Sequence, residues 1–341
     1  MRAAMSVVRD AIARKVDRRF IGAASLSEVN APTRKQRLDR CAELAATYNL
    51  PEYFSSPVTF VAEPPAPVFA YTRVRPLKGG TVFDAQWQDG FQALHPDMGE
   101  RYFAFERNAK SHARLFLHDS PRPAIVLMHG YLGGPFWFEQ YVLAAKRWYA
   151  LGFDVALGVL PFHGAKRVPT EKLPLFPHKD PRFSIECCRQ SVHDIRALTS
   201  YFLQRGAPTV GLMGISLGGY VSSLAATIED RLTFCATLIP FASFAELARD
   251  RGTLGDNDAD FEEFLARREA ERSISPLARP SRVKHALVIG AKADQVTPVR
   301  HAQMLAHHFN ADLHLLEGGH IVQTWRWQGL ALCERWFARF L

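Results

Sequence analysis

Thr209-Val210-Gly211-Leu212-Met213-Gly214-Ile215-Ser216-Leu217-Gly218-Gly219-Tyr220 is the stretch on which the fold turns. An apolar run ends in Gly-x-Ser-x-Gly-Gly, and helix-forming residues 221–228 follow. The order is strand, sharp turn, helix. A serine at such a turn sits in a strained backbone conformation that lifts its Oγ above the sheet. Small neighbours must let strand and helix approach closely, and Gly214, Gly218 and Gly219 meet that need. The helix start also leaves backbone N–H groups without intrahelical partners beside Ser216, which favours a developing negative charge. The pattern predicts Ser216 as a nucleophile.

A nucleophilic serine needs a base, and the base needs an orienting acid. Leu287-Val288-Ile289-Gly290-Ala291-Lys292-Ala293-Asp294 places Asp294 just beyond a buried strand. Leu313-His314-Leu315-Leu316-Glu317-Gly318-Gly319-His320 places His320 beyond the next one, in a glycine-loosened turn. Reactive groups in open parallel sheets gather outside the carboxyl ends of strands. Three such ends present Ser216, Asp294 and His320 in that chain order. After the preceding strand, Pro240-Phe241-Ala242-Ser243-Phe244-Ala245-Glu246 offers no carboxylate before Glu246, which disfavours the alternative acid position.

Met128-His129-Gly130-Tyr131-Leu132-Gly133-Gly134 follows an early apolar strand and precedes a helix. Its glycines free the backbone to aim an N–H at a reacting carbonyl oxygen. The expected oxyanion hole is the N–H of Leu217 with that of Tyr131 or Leu132. His129 reads as a brace of the loop. Leu132, His163 and Phe241 are candidates for the substrate pocket, His163 with Arg167 as contacts to an anionic group. The aromatic-rich runs Pro135-Phe136-Trp137-Phe138 and 241–244 suit an apolar acyl chain.

From about Thr81 onward the chain resembles the α/β-hydrolase superfamily. The matching pieces are His129-Gly130-Tyr131, Gly214-Ile215-Ser216-Leu217-Gly218-Gly219, Asp294 with Thr297-Pro298, and Gly319-His320. The resemblance implies an eight-stranded, mostly parallel sheet flanked by helices, with a cap before the acid strand. It also implies Ser216 as nucleophile, His320 as base and Asp294 as its partner. Leu160-Pro161-Phe162-His163-Gly164-Ala165-Lys166-Arg167-Val168-Pro169 looks like the post-strand loop of the family-18 abhydrolase domain proteins. Tyr131-Leu132 departs from the HGGG pattern of hormone-sensitive-lipase-like esterases.

The remaining sequence fits an α/β fold with additions at the front. Strands are expected over 81–88, 102–107, 113–118, 124–128, 154–159, 209–215, 233–239, 286–289 and 313–316. Helices are expected over 136–151, 185–205, 217–228, 261–272, 299–309 and 322–340. Close early strands suggest antiparallel hairpins, and the later alternation suggests a parallel sheet. Residues 1–80 read as an N-terminal helical arm and a proline-rich strap, and 81–341 as the hydrolase domain. A stretch of about 40 residues, 241–280, with a polar turn at Gly255-Asp256-Asn257-Asp258, exceeds a plain crossover and reads as a small cap.

The chain has 341 residues, 48% hydrophobic and 22% charged, a globular balance that excludes general disorder. Residues 1–40 hold ten Lys/Arg against four Asp/Glu, a surplus of six out of a net +8. Basicity therefore belongs to the arm, and a nucleic-acid partner is not expected. Met5, Val8, Ile12, Val16 and Phe20 share a helical face there. Such a helix either docks through that stripe or lies on an anionic membrane as a peripheral contact. Five cysteines without a C-x-x-C pair exclude zinc ribbons and redox motifs. With no h-region at the start, they point to a reducing, cytoplasmic setting. The absence of H-E-x-x-H, G-x-x-x-x-G-K-[ST] and G-x-G-x-x-G leaves no expected metal or cofactor. The expected function is a serine hydrolase of small-molecule or lipid carboxylic esters. An acyltransferase or peptidase with the same triad, or a non-catalytic binding protein, is the alternative.

Overall fold

A computed structural model describes residues 2–24, 32–88, 90–178, 180–252 and 257–341. Within the first helix, side chains are described from Asp10 to Ile21. Met5 and Val8 of the apolar stripe, and Gly255-Asp256 of the polar turn, lie outside the described side chains and residues.

Among the described residues nine strands form one sheet: β1 (Ala70–Leu77), β2 (Gly80–Gln88), β3 (Lys110–His118), β4 (Ala124–Met128), β5 (Asp154–Gly158), β6 (Val210–Ile215), β7 (Phe234–Leu238), β8 (His285–Ala291) and β9 (Asp312–Leu316). Their order across the sheet is β1-β2-β3-β5-β4-β6-β7-β8-β9. The first four in that order pair antiparallel, and the rest pair parallel. Strands β4 to β7 are buried along their whole length, as continuous apolar runs covered by helices on both faces require. Alternate residues feed opposite layers. Val126 and Met128 pack with Leu212, Leu224 and the long helix Pro181–Arg205, while Ile125 and Leu127 pack with Met213, Trp148 and Phe337.

The sheet has nine strands rather than the expected eight. The extra one, β1, lies within the proline-rich strap. Pro76 has no N–H to give, so it is tolerated only at an edge, and there it pairs with Thr81 on one side. The expected strand over 102–107 is instead the helix Met98–Phe103 followed by a 3₁₀ turn Glu106–Ala109. Met98 and Tyr102 are buried one helical turn apart, and the Tyr102 hydroxyl donates to Gln190 Oε1 at 2.8 Å. The expected helix over 136–151 breaks into Phe136–Val142 and Ala145–Leu151, because Ala144 takes φ +53°. The indole of Trp148 donates to the Leu143 carbonyl that the break exposes, at 2.7 Å.

The N-terminal helix Arg2–Ala24 does dock on the body, but through a different face from the stripe. Ile12 is 55% exposed, Val16 and Phe20 are half-buried, and among the described side chains of this helix those buried completely are Ala13 and Asp17. Two helices, Phe244–Asp250 and Asp258–Ala270, lie between β7 and β8. Among the described residues no helix is long and apolar enough to cross a membrane.

Candidate active site

The chain leaves β4 to one side to make β5 and returns on the other to make β6, so the strand order reverses at β4. Open α/β sheets form their crevice at such a reversal, outside the carboxyl ends of the strands. Here the ends of β4 and β6 are level, with Met128 paired to Gly214. The residues that follow them meet directly. A Cβ on Gly130 would lie 3.4 Å from Ser216 Cβ.

Ser216 takes φ +54° and ψ −117°, the strained turn expected from its motif. Its N–H donates to Leu238 O on β7 at 2.9 Å, and its carbonyl accepts the Tyr220 N–H at 2.9 Å. The flanking glycines are required by contact. A Cβ on Gly214 would fall 2.2 Å from Gly218 O, and one on Gly218 would fall 2.2 Å from Met128 O. Any side chain there would push the helix Leu217–Ala225 off the sheet.

The three side chains singled out from the sequence lie in one hydrogen-bonded line. His320 Nε2 is 2.9 Å from Ser216 Oγ, and His320 Nδ1 is 2.8 Å from Asp294 Oδ2. Asp294 is 2% exposed and His320 is 6% exposed. Asp294 Oδ1 accepts the N–H groups of Val296 and Thr297, both at 2.8 Å. That leaves Oδ2 to face the ring. An ionised carboxylate only accepts, so Nδ1 carries the imidazole proton and Nε2 presents a lone pair to the serine hydroxyl. The Thr297 hydroxyl lies 3.0 Å from Asp294 Oδ2 and 3.1 Å from His320 Nδ1, a contact that the Thr297-Pro298 pair beside Asp294 only hinted at. Glu246 is elsewhere, paired with Arg300 at 2.9 Å.

The loop after β4 is shaped from below. Leu132 takes φ +66° and leaves its side chain 48% exposed. The His129 Nδ1–H donates to Gly130 O at 2.8 Å, and Nε2 accepts the Leu160 N–H at 3.1 Å. Both ring nitrogens are thus spent on backbone, and burial pushes the imidazole pKa down to about 4, so His129 braces the loop. Glu139 Oε1 accepts the Gly134 N–H at 3.1 Å, and burial raises its carboxyl to about 7.

Glu139 has a consequence for stability. The folded chain holds its proton more tightly than the unfolded chain does, so its contribution is complete below about 4.5 and is lost as pH rises through about 7. Denaturant unfolding at several pH values between 4.5 and 7.5 is expected to show the wild type losing on the order of 3 kcal/mol more than Glu139→Gln over that window. Parallel curves for the two proteins would contradict this.

The candidate pocket residues have different surroundings. His163 is wholly buried near Tyr131, with ring centroids 6.0 Å apart, and its Nδ1 lies 2.8 Å from Pro161 O. Burial, helped by nearby His129, lowers its pKa to about 3, so it is neutral and offers no charge to an anion. Its Nε2 has no hydrogen-bond partner among the described residues. Arg167 is committed to the Glu171 and Lys172 carbonyls of its own loop. Phe241 is buried and stacks on Tyr220 at 4.3 Å. The same loop carries a residue that sequence reasoning missed. Lys166 is completely buried, with Nζ 2.9 Å from Asp194 Oδ2 and 3.0 Å from Ser111 Oγ, which anchors the loop after β5. A second missed residue, Asp17, enters from the N-terminal helix.

No protein-family model matches the chain. A curated protein of Mycobacterium tuberculosis, itself described as uncharacterized, is 30% identical over 235 residues, which are 68% of this chain and 57% of the relative. The chain thus spans a little over half the length of the curated relatives it matches. Among solved structures, an acetyl xylan esterase from a Paenibacillus species aligns with a TM-score of 0.55 at 12% identity, over 91% of this chain and 96% of that one. Acetyl xylan esterase 1 from a Thermoanaerobacterium species aligns with a TM-score of 0.52 at 16% identity, over 91% and 99%. At these identities the likeness speaks for the arrangement of strands and helices.

Proposed function

Given that this chain has the α/β-hydrolase fold, we propose that it is a serine hydrolase that cleaves carboxylic esters through an acyl-enzyme. The observation that carries the reading is the line from Asp294 through His320 to Ser216, set on a strained turn at the strand-order reversal. Ser216 Oγ attacks the ester carbonyl carbon while its proton passes to His320 Nε2. The N–H groups of Leu217 and Tyr131 receive the oxyanion. Collapse breaks the bond to the alcohol, which leaves with the proton from His320. Water then attacks the acyl-serine, gives a proton to His320, and a second collapse releases the acid and restores Ser216. Asp294 holds the imidazole and stabilises its cation without taking the proton. An ester substrate agrees with the activity for which the two acetyl xylan esterases that share the fold are named.

A series of p-nitrophenyl esters of increasing acyl length, beside amide and thioester analogues, tests the reading. Turnover of esters above the amide is expected. Preference for the amide would favour a peptidase, and transfer to an added alcohol ahead of water would favour an acyltransferase.

Exposed apolar side chains near the site favour a lipid ester. Leu132 is on the loop after β4, Trp137, Phe138 and Tyr141 are on the helix that follows it, and Ile321 adjoins His320. Arg14, Lys15, Arg18 and Arg19 are exposed on the N-terminal helix, which contacts the His320 loop and so could face an anionic surface. Co-sedimentation with anionic but not neutral vesicles is expected, reduced when these four residues are replaced by Gln. Equal recovery with both vesicle types would remove the membrane contact.

A further inference from the structure

Asp17 is completely buried on the inner face of the N-terminal helix. Its Oδ2 accepts the backbone N–H of His320 at 2.9 Å and that of Gln295 at 3.1 Å. Its Oδ1 accepts the N–H of Ile321 at 3.0 Å. Gln295 directly follows Asp294. One carboxylate, more than 270 residues away in sequence, therefore ties the loop that carries the acid to the loop that carries the base.

Small residues make the approach possible. A Cβ on Gly319 would lie 2.9 Å from Asp17 Oδ2 and 3.0 Å from Ala13 Cβ. Ala13, one helical turn before Asp17, is itself completely buried. On the outer side, Arg18 Nη2 reaches Gln295 Oε1 at 3.5 Å. A carboxylate is tolerated inside a protein only when it is paired or hydrogen-bonded. Here three N–H groups converge on it, and bonds of this charge-assisted kind are roughly twice as strong as neutral ones.

We infer that Asp17 is a positioning residue for the Ser216–His320–Asp294 line, so that the N-terminal helix is part of the active site. The inference rests on the serine-hydrolase reading. Asp17 touches no reacting atom. It pins the main chain at His320 and Gln295, and that main chain decides where the imidazole stands between Ser216 Oγ and Asp294. A displacement of about 1 Å from reactive geometry can cost about 10²-fold in rate.

The test compares full-length wild type, Asp17→Ala and Asp17→Asn by two readouts. The first is hydrogen exchange at the amides of Gln295, His320 and Ile321, which needs no activity. The second is the rate of fluorophosphonate labelling per reactive serine, read beside kcat and KM for one ester. Asp17→Ala is expected to speed exchange at all three amides and to lower the labelling rate and kcat about 10- to 100-fold, with KM within about twofold. Asp17→Asn keeps an oxygen for two of the three N–H groups and should recover part of the rate. Unchanged exchange in a folded Asp17→Ala protein would overturn the clasp. Faster exchange with a wild-type rate per labelled serine would overturn the positioning role and leave Asp17 as a structural tether. If the wild type itself resists the probe, it is the hydrolase reading that fails, and the exchange data still decide whether the clasp exists.

Discussion

Ser216→Ala is expected to lower ester turnover on the order of 10⁴-fold or more while leaving the fold intact. The position is strained, with φ +54°, but alanine is no larger than serine and meets no new atoms. Stability should therefore stay close to wild type, and a circular dichroism melt alongside the rate assay separates lost chemistry from lost folding. The loss is large because the substitution removes the Oγ that lies 2.9 Å from His320 Nε2. A variant that is folded and retains more than about a tenth of wild-type turnover would show that Ser216 does not attack, since loss of a nucleophile costs far more than that.

Asp294→Asn is expected to cost about 10⁴-fold in kcat, by the reasoning that applies to any orienting acid of this kind. The geometry makes the direction definite. The position of Oδ1 accepts two backbone N–H groups, so the amide oxygen of Asn must take that place. The NH₂ then faces His320 Nδ1. Two donors cannot share that contact, so the ring is forced to the other tautomer, with its proton on Nε2 and no lone pair for the serine. Glu246→Gln should leave turnover within about twofold, since Glu246 pairs with Arg300 while His320 Nδ1 faces Asp294. The opposite ranking of the two variants would move the acid to the end of β7.

The local features of the site could be read from the chain because each is enforced over a few residues. Gly214 and Gly218 are needed within a five-residue stretch, and the apolar runs before Ser216, Asp294 and His320 mark strand ends that a parallel sheet must bring level. What joins distant parts of the chain left no such mark. Asp17 in isolation is one acid in a basic helix, and its role appears only when the 303 residues to His320 are folded together. Lys166 is one more cation in a loop until Asp194 and Ser111 surround it. Strand β1 was hidden by its proline, whose missing N–H costs nothing at a sheet edge. The helix Met98–Phe103 was hidden by aromatic residues that favour strands in general, yet are held here by burial of Tyr102 against the long helix Pro181–Arg205.

Peptide mapping by mass spectrometry after brief exposure to a fluorophosphonate bears most directly on the claim that Ser216 is a nucleophile activated by His320. The expected result is one phosphonyl adduct, on the peptide that contains Ser216, formed in the wild type and absent when His320 is replaced by Ala. An unmodified Ser216 peptide in folded wild-type protein, or an adduct that forms as fast without His320, would contradict it.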